Sequence, residues 1–178
     1  MERRIALLRG INVGPNKRVP MPALRELFEG AGFQDVRTYV QSGNLVLGTG
    51  AAPDDLEREC AERIAERFGF DVEVIVRTPE QLAQVVRRNP LRDVAVNPKR
   101  YQVSFLGSEL DGRRAEELAA LVSGPERFVA IGRELYAWHP EGVARSRLWA
   151  KLAGPGLGVK ATARNWTTVT TLLEMAGE

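Results

Sequence analysis

Three short clusters in this chain combine arginine, lysine, asparagine, glutamine and serine, side chains that hold and orient an anion better than they exchange protons. The first is Arg9-Gly-Ile-Asn-Val-Gly14, followed by Lys17 and Arg18 before Pro20. A glycine-bearing loop that opens onto a helix can turn its N–H groups and charges toward a phosphate. Neither G-x-x-x-x-G-K-[ST] nor G-x-G-x-x-G is present, so the segment is not a standard nucleotide loop. A long turn whose glycines supply positive φ is the competing reading. The second cluster, Gln41-Ser-Gly-Asn44, fits a hairpin turn with local bonding, yet Gln41 is no habitual turn residue and leaves room for a polar recognition tip. In the third, Arg164-Asn-Trp166, Asn165 suits an N-cap. A cation beside a helix N-terminus costs a few tenths to ~1 kcal/mol, which an acidic partner or bound anion would offset at Arg164. Trp166 falls on an apolar stripe and reads as core. Arg9, Asn12, Lys17, Gln41, Ser42, Asn44, Arg164 and Asn165 are thus the candidate binding set, for a phosphate-bearing small molecule or a nucleic-acid backbone.

Proton-transfer and metal chemistry find little support. Cys60 is the single cysteine and lies on the apolar stripe of a helix, which suits an inert core thiol. His139 is the single histidine, so there is no Cys/His set for zinc, and neither metal nor cofactor is expected. An enzyme with Arg9 and Arg164 as clamps and Ser42, Tyr39 or His139 as the reacting group is the alternative. A structural or oligomeric interaction module is a further one. The sheet-binding mode of an RNA-recognition motif is excluded, because its aromatic strand signature is absent from Ile5–Leu8 and from Asn44–Leu47.

Total charge hides where these clusters sit. The 178 residues carry a net charge of +2, too small to declare a nucleic-acid protein. From Arg3 to Arg25, however, Arg3, Arg4, Arg9, Lys17, Arg18 and Arg25 occur with no acid among them. From Gly142 to Leu173 the same holds for Arg145, Arg147, Lys151, Lys160 and Arg164. Two acid-free segments could form one electropositive face, against the plain alternative of scattered solvated charges. With 44% hydrophobic and 27% charged residues, composition is that of a globular chain able to bury a core without staples. A lone cysteine fits a reducing compartment, and the apolar run Ile5–Leu8, broken by Arg9, is too short for a signal peptide. A cytoplasmic protein without membrane association is expected.

The elements that must position the clusters follow from periodicity. Ile5–Leu8 reads as a strand buried on both faces, and Leu24, Leu27, Phe28 and Ala31 recur at helical spacing behind Met21-Pro22. Val36–Gln41 and Asn44–Leu47 read as a hairpin. Asp54 or Asp55 can cap a helix with Leu56, Cys60, Ile64 and Phe68 on one stripe, and Phe70–Val76 alternates as a strand. That order, βαββαβ, is the ferredoxin-like unit. A linking helix at Pro79–Arg88 precedes a strand at Tyr101–Leu106, a helix from Asp111 to Val122, strands at Arg127–Ile131 and Leu135–Trp138, and a helix at Arg145–Leu152. This predicts an α+β protein with a ferredoxin-like unit over 1–78. A second, partial repeat over 79–178 lacks its last strand and ends in a helix, and the two pack as one compact body.

Several of these motifs occur together in a known pattern. Arg9-Gly-Ile-Asn-Val-Gly14, Val19-Pro-Met-Pro-Ala-Leu24, Tyr39-Val-Gln-Ser-Gly-Asn44, Val76-Arg-Thr78, Asn89-Pro90 and Thr162-Ala-Arg-Asn-Trp-Thr-Thr-Val169 make the chain resemble the bacterial family catalogued as domain of unknown function 1697. The resemblance implies a soluble bacterial protein with a ferredoxin-like arrangement in at least its first half. It implies no activity. Pro15 after the loop glycine and Thr167, where Asn is common, are the departures from the pattern.

Overall fold

The computed structural model describes residues Met1–Glu178 and divides into two compact units. The first comprises Met1–Ala83 with Thr171–Glu178, the second Gln84–Thr170. In chain order the first contains β1 (Glu2–Leu8), α1 (Met21–Gly30), β2 (Gln34–Tyr39), β3 (Asn44–Thr49), α2 (Pro53–Phe68) and β4 (Val74–Arg77). Its antiparallel sheet runs β2-β3-β1-β4, so β1 is central, with Ile5 opposite Val46 on one side and Arg77 on the other. Ala6 and Leu8 face a core closed by Leu24 and Phe28 of α1 and Leu56, Cys60 and Ile64 of α2. Ile5 and Leu7 are buried too, which is why β1 reads as a continuous apolar run rather than an alternating one.

α3 (Pro79–Arg88) starts in the first unit and ends in the second. The second unit then holds β5 (Tyr101–Leu106), α4 (Gly112–Ala119), β6 (Arg127–Ile131), β7 (Glu134–Trp138), α5 (Arg147–Ala153) and β8 (Ala161–Asn165). α6 (Trp166–Gly177) follows, and its last residues belong to the first unit, where Arg37 donates to the Met175 carbonyl at 2.9 Å and meets Glu178 at 2.7 Å. The second sheet repeats the first in order, β6-β7-β5-β8, again fully antiparallel. Leu106, Leu135, Ala137 and Ala161 cover its helical side against Leu118, Leu148 and Leu152. The fold is α+β with two four-stranded antiparallel sheets and a C-terminal helix, as two ferredoxin-like units predict.

Several elements differ from the sequence reading. The second repeat does not lack its final strand: β8 pairs with β5, Arg164 opposite Val103. Ala-Thr-Ala-Arg-Asn has none of the β-branched or aromatic density that marks a strand, and its pairing rests on the backbone at the edge of the sheet. Only Val74–Arg77 of the expected Phe70–Val76 strand joins the ladder. Gly69 ends α2 in the left-handed conformation, and the chain then travels outside the sheet, Val72 buried in the core and the Phe70 ring 6.4 Å from Phe68. α2 is capped by neither Asp54 nor Asp55. Ala52 is its N-cap, Pro53 occupies the first turn, and both aspartates lie in that turn, where they favour the helix dipole. β2 starts and ends two residues earlier than read, while β3 starts at Asn44 as read and runs on to Thr49, and a bulge at Asp35 (φ 47°) takes up register between Gln34 and Arg37.

Candidate functional site

Six of the eight candidate residues gather at one end of the first sheet. β1 ends at Leu8, and the loop from Gly10 to Pro20 doubles back on itself, Asn12 N–H donating to the Lys17 carbonyl at 3.0 Å. Asn12 and Lys17 adopt φ of 55° and 53°, and Gly10 and Gly14 are also left-handed. Asn12 holds the loop: its Oδ1 accepts from Val19 N–H at 2.8 Å, and its Nδ2 donates to the carbonyls of Val19 and Gln41, both at 2.8 Å. The loop and the β2–β3 hairpin are thereby locked together across 29 positions of sequence.

The hairpin is tied from beneath as well. Asn44, wholly buried, donates to the Tyr39 carbonyl at 3.0 Å and to Ser42 Oγ at 2.9 Å. Leu8 N–H donates to the Gly43 carbonyl at 2.9 Å. Gly43 is obligatory twice over, since its φ is +83° and a Cβ there would lie 2.7 Å from Leu8 Cβ. Gln41 and Ser42 remain exposed at the tip. On the facing side Lys17 Nζ donates to the Asp71 carbonyl at 3.2 Å, and Arg9 lies 3.5 Å from Glu73. Arg18, one residue on, is exposed. Asn12 and Asn44 therefore position the tip, while Arg9, Lys17, Arg18, Gln41 and Ser42 present groups to solvent.

Arg164 and Asn165 belong to the second unit. Arg164 is buried on β8, donating to Thr162 Oγ1 at 2.7 Å and to the Ala163 carbonyl at 2.8 Å, and burial lowers its guanidinium to about 10. It stays charged at neutral pH. Asn165 caps α6 as its position suggests, Oδ1 accepting from Thr168 N–H at 2.9 Å. Trp166 stacks on the Tyr101 ring at 4.9 Å, a packing role.

The second unit also holds a buried polar cluster that the sequence reading only touched through His139. Glu126 Oε2 accepts from His139 Nδ1 at 2.6 Å and from Ser146 Oγ at 2.5 Å, and Oε1 accepts from Ser123 N–H at 3.2 Å. Burial pushes the Glu126 carboxyl up, but the bonds from Ser146, His139 and Ser123 together outweigh it and leave the group below its ordinary range. Ser146 in turn caps α5, accepting from Trp149 N–H at 3.0 Å. A serine, a histidine and a carboxylate in contact invite a hydrolase reading, and the geometry opposes it. Serine and carboxylate both sit on Nδ1, while Nε2, the nitrogen that would face either partner in a relay, is buried and unbonded. A carboxylate with a lowered pKa is also a poor base. No sequence motif announces Glu126 or Ser146, which lie 20 positions apart and meet only through the fold. Cys60 is inert as read, its thiol pushed up to about 12 by burial.

Two tandem ferredoxin-like units, with a clamped basic loop on the first, define an α+β protein whose class alone assigns no chemistry. Residues 1–136 match the family model described as "Protein of unknown function (DUF1697)", and the chain belongs to that family. The Thr162–Val169 motif lies beyond the matched span. Among solved structures, the chain is similar to the conserved bacterial protein SP0830 from Streptococcus pneumoniae, at 21% identity and a TM-score of 0.77 over 98% of both chains. No curated protein matches. No helix is long and apolar enough to cross a membrane, and no group of three or more His, Cys, Asp or Glu residues is placed to hold a metal ion.

Proposed function

We propose that the protein binds a phosphate-bearing anion, as a small molecule or a nucleic-acid backbone, at the end of the first sheet. The observation that carries this reading is the Asn12 clamp, which fixes a loop bearing Arg9, Lys17 and Arg18 against the exposed tip Gln41-Ser42. Cations and neutral donors from two distant segments thus share one rigid platform, and preorganisation lowers the ordering cost of binding. The Arg9–Glu73 contact is long and partly exposed, the kind of ion pair that contributes little and yields readily to a better anion. Asp71 and Glu73 limit the positive field, so affinity rests on hydrogen-bond geometry as much as on charge. On the second unit, Arg164 is buried in its strand and Asn165 caps its helix.

A thermal-shift panel of nucleotides, sugar phosphates and short oligonucleotides at low salt tests the reading. A ligand at 100 times its Kd adds about 2.7 kcal/mol of stability. That gain should shrink with added salt and vanish in the Arg9→Ala, Arg18→Ala double variant. Stabilisation by none of these compounds, or stabilisation that the double variant retains, would defeat it.

A further inference from the structure

The second unit carries a cavity of about 290 Å³ whose lining comes from two segments only, Ser123–Glu126 and Pro140–Ser146. That volume is at the small end for ligand sites, which run roughly 300–1,000 Å³. Both segments are fixed in advance. In the first, Glu126 N–H donates to the Ser123 carbonyl at 3.2 Å and Gly124 is left-handed. In the second, Gly142 N–H donates to the His139 carbonyl at 2.9 Å, Arg100 Nη1 donates to the Pro140 carbonyl at 3.0 Å, and Ser146 N–H donates to the Val143 carbonyl at 3.1 Å. Glu126 joins them by bonding Ser146 and His139 while its own turn holds Ser123. It is 7% exposed, so the wall it forms is a fixed negative charge rather than a mobile surface carboxylate.

The lining is of mixed sign. Arg145 is its single cation, Glu126 and Glu141 its two acids, Ser123 contributes a hydroxyl, and Pro125 and Pro140 contribute apolar rings. Arg145 and Glu141 are both exposed and able to turn toward an occupant. A plain anion would meet two carboxylates, and a plain cation would meet Arg145. A molecule carrying an ammonium and a carboxylate on neighbouring atoms satisfies both signs, and its carbon skeleton can rest on the proline rings. We propose that this cavity binds a small zwitterion of the α-amino-acid class, its carboxylate on Arg145 and its ammonium toward Glu141, with the ionised Glu126 setting the polarity of the wall. Every lining residue belongs to the second unit.

Isothermal titration of the full chain with individual proteinogenic L-amino acids, to about 10 mM, tests it. At least one should bind saturably, about tenfold more weakly in Arg145→Ala and again in Glu141→Gln. The matching des-amino acid and decarboxylated amine should bind far less, and Arg18→Ala on the first unit should change nothing. These two lining residues are exposed, so their replacement leaves the core intact. Absence of binding by every amino acid, equal binding of a des-amino acid or a bare amine, or unaltered affinity in both lining variants would overturn the proposal.

Discussion

Asn12 donates its side-chain amide to the Gln41 carbonyl at 2.8 Å, so a left-handed residue in the first loop holds the turn of a hairpin far along the chain. The same side chain also closes its own loop through both polar groups of Val19. Asn12→Ala removes all three bonds and strands partly buried partners, with an expected loss of about 1–3 kcal/mol in urea unfolding. Anion binding should weaken in that variant although Asn12 presents no free donor to a ligand.

Gly43→Ala should be among the most damaging small substitutions in the first unit. The added methyl carbon would meet Leu8 Cβ at 2.7 Å and Ile11 Cδ1 at 2.9 Å while the backbone stays at φ +83°. Left-handed strain and overpacking together suggest a cost of roughly 2–4 kcal/mol, read as a fall in the denaturant midpoint.

Val40 offers the opposite case. It is 52% exposed with φ 50°, a conformation that a β-branched residue adopts only under constraint. Val40→Gly relieves that strain and sacrifices little packing, and it should raise stability by about 1 kcal/mol or leave it level despite glycine's flexibility. A clear drop would mean that the valine side chain contributes packing that its exposure conceals.

Acid should act on the second unit through Glu126. Its folded-state carboxyl lies below the ordinary glutamate range, so as pH falls the unfolded chain takes up this proton first. The contribution is complete above the ordinary value, declines as pH drops through that window, and is gone below the folded value. Glu126→Gln should cost about 1–3 kcal/mol at neutral pH and flatten the acid limb of a stability-against-pH curve. An unchanged acid limb would show that other carboxylates set it.

How far the sequence discloses this protein differs from element to element. β1, α1 and α2 are legible because continuous burial or a single stripe such as Leu56, Cys60 and Ile64 repeats at a definite period. β8 is not, because an edge strand of alanine, threonine, arginine and asparagine carries no such period, and only its ladder to β5 defines it. The first loop and the hairpin tip are recognisable by residue type, but not the division of labour within them. Asn12 and Asn44 look like recognition groups until their bonds are seen to be spent on the backbone. The Glu126 cluster is illegible, since its three side chains come from separate turns and no spacing rule links them.

Backbone ¹H–¹⁵N NMR titration with inorganic pyrophosphate at low salt locates anion binding most directly. The account predicts saturable shifts concentrated at Gly10–Arg18 and Gln41–Gly43, fading as salt competes for the cations and lost in the Lys17→Ala, Arg18→Ala double variant. No shifts at those residues, or shifts that persist undiminished in that variant, would contradict it.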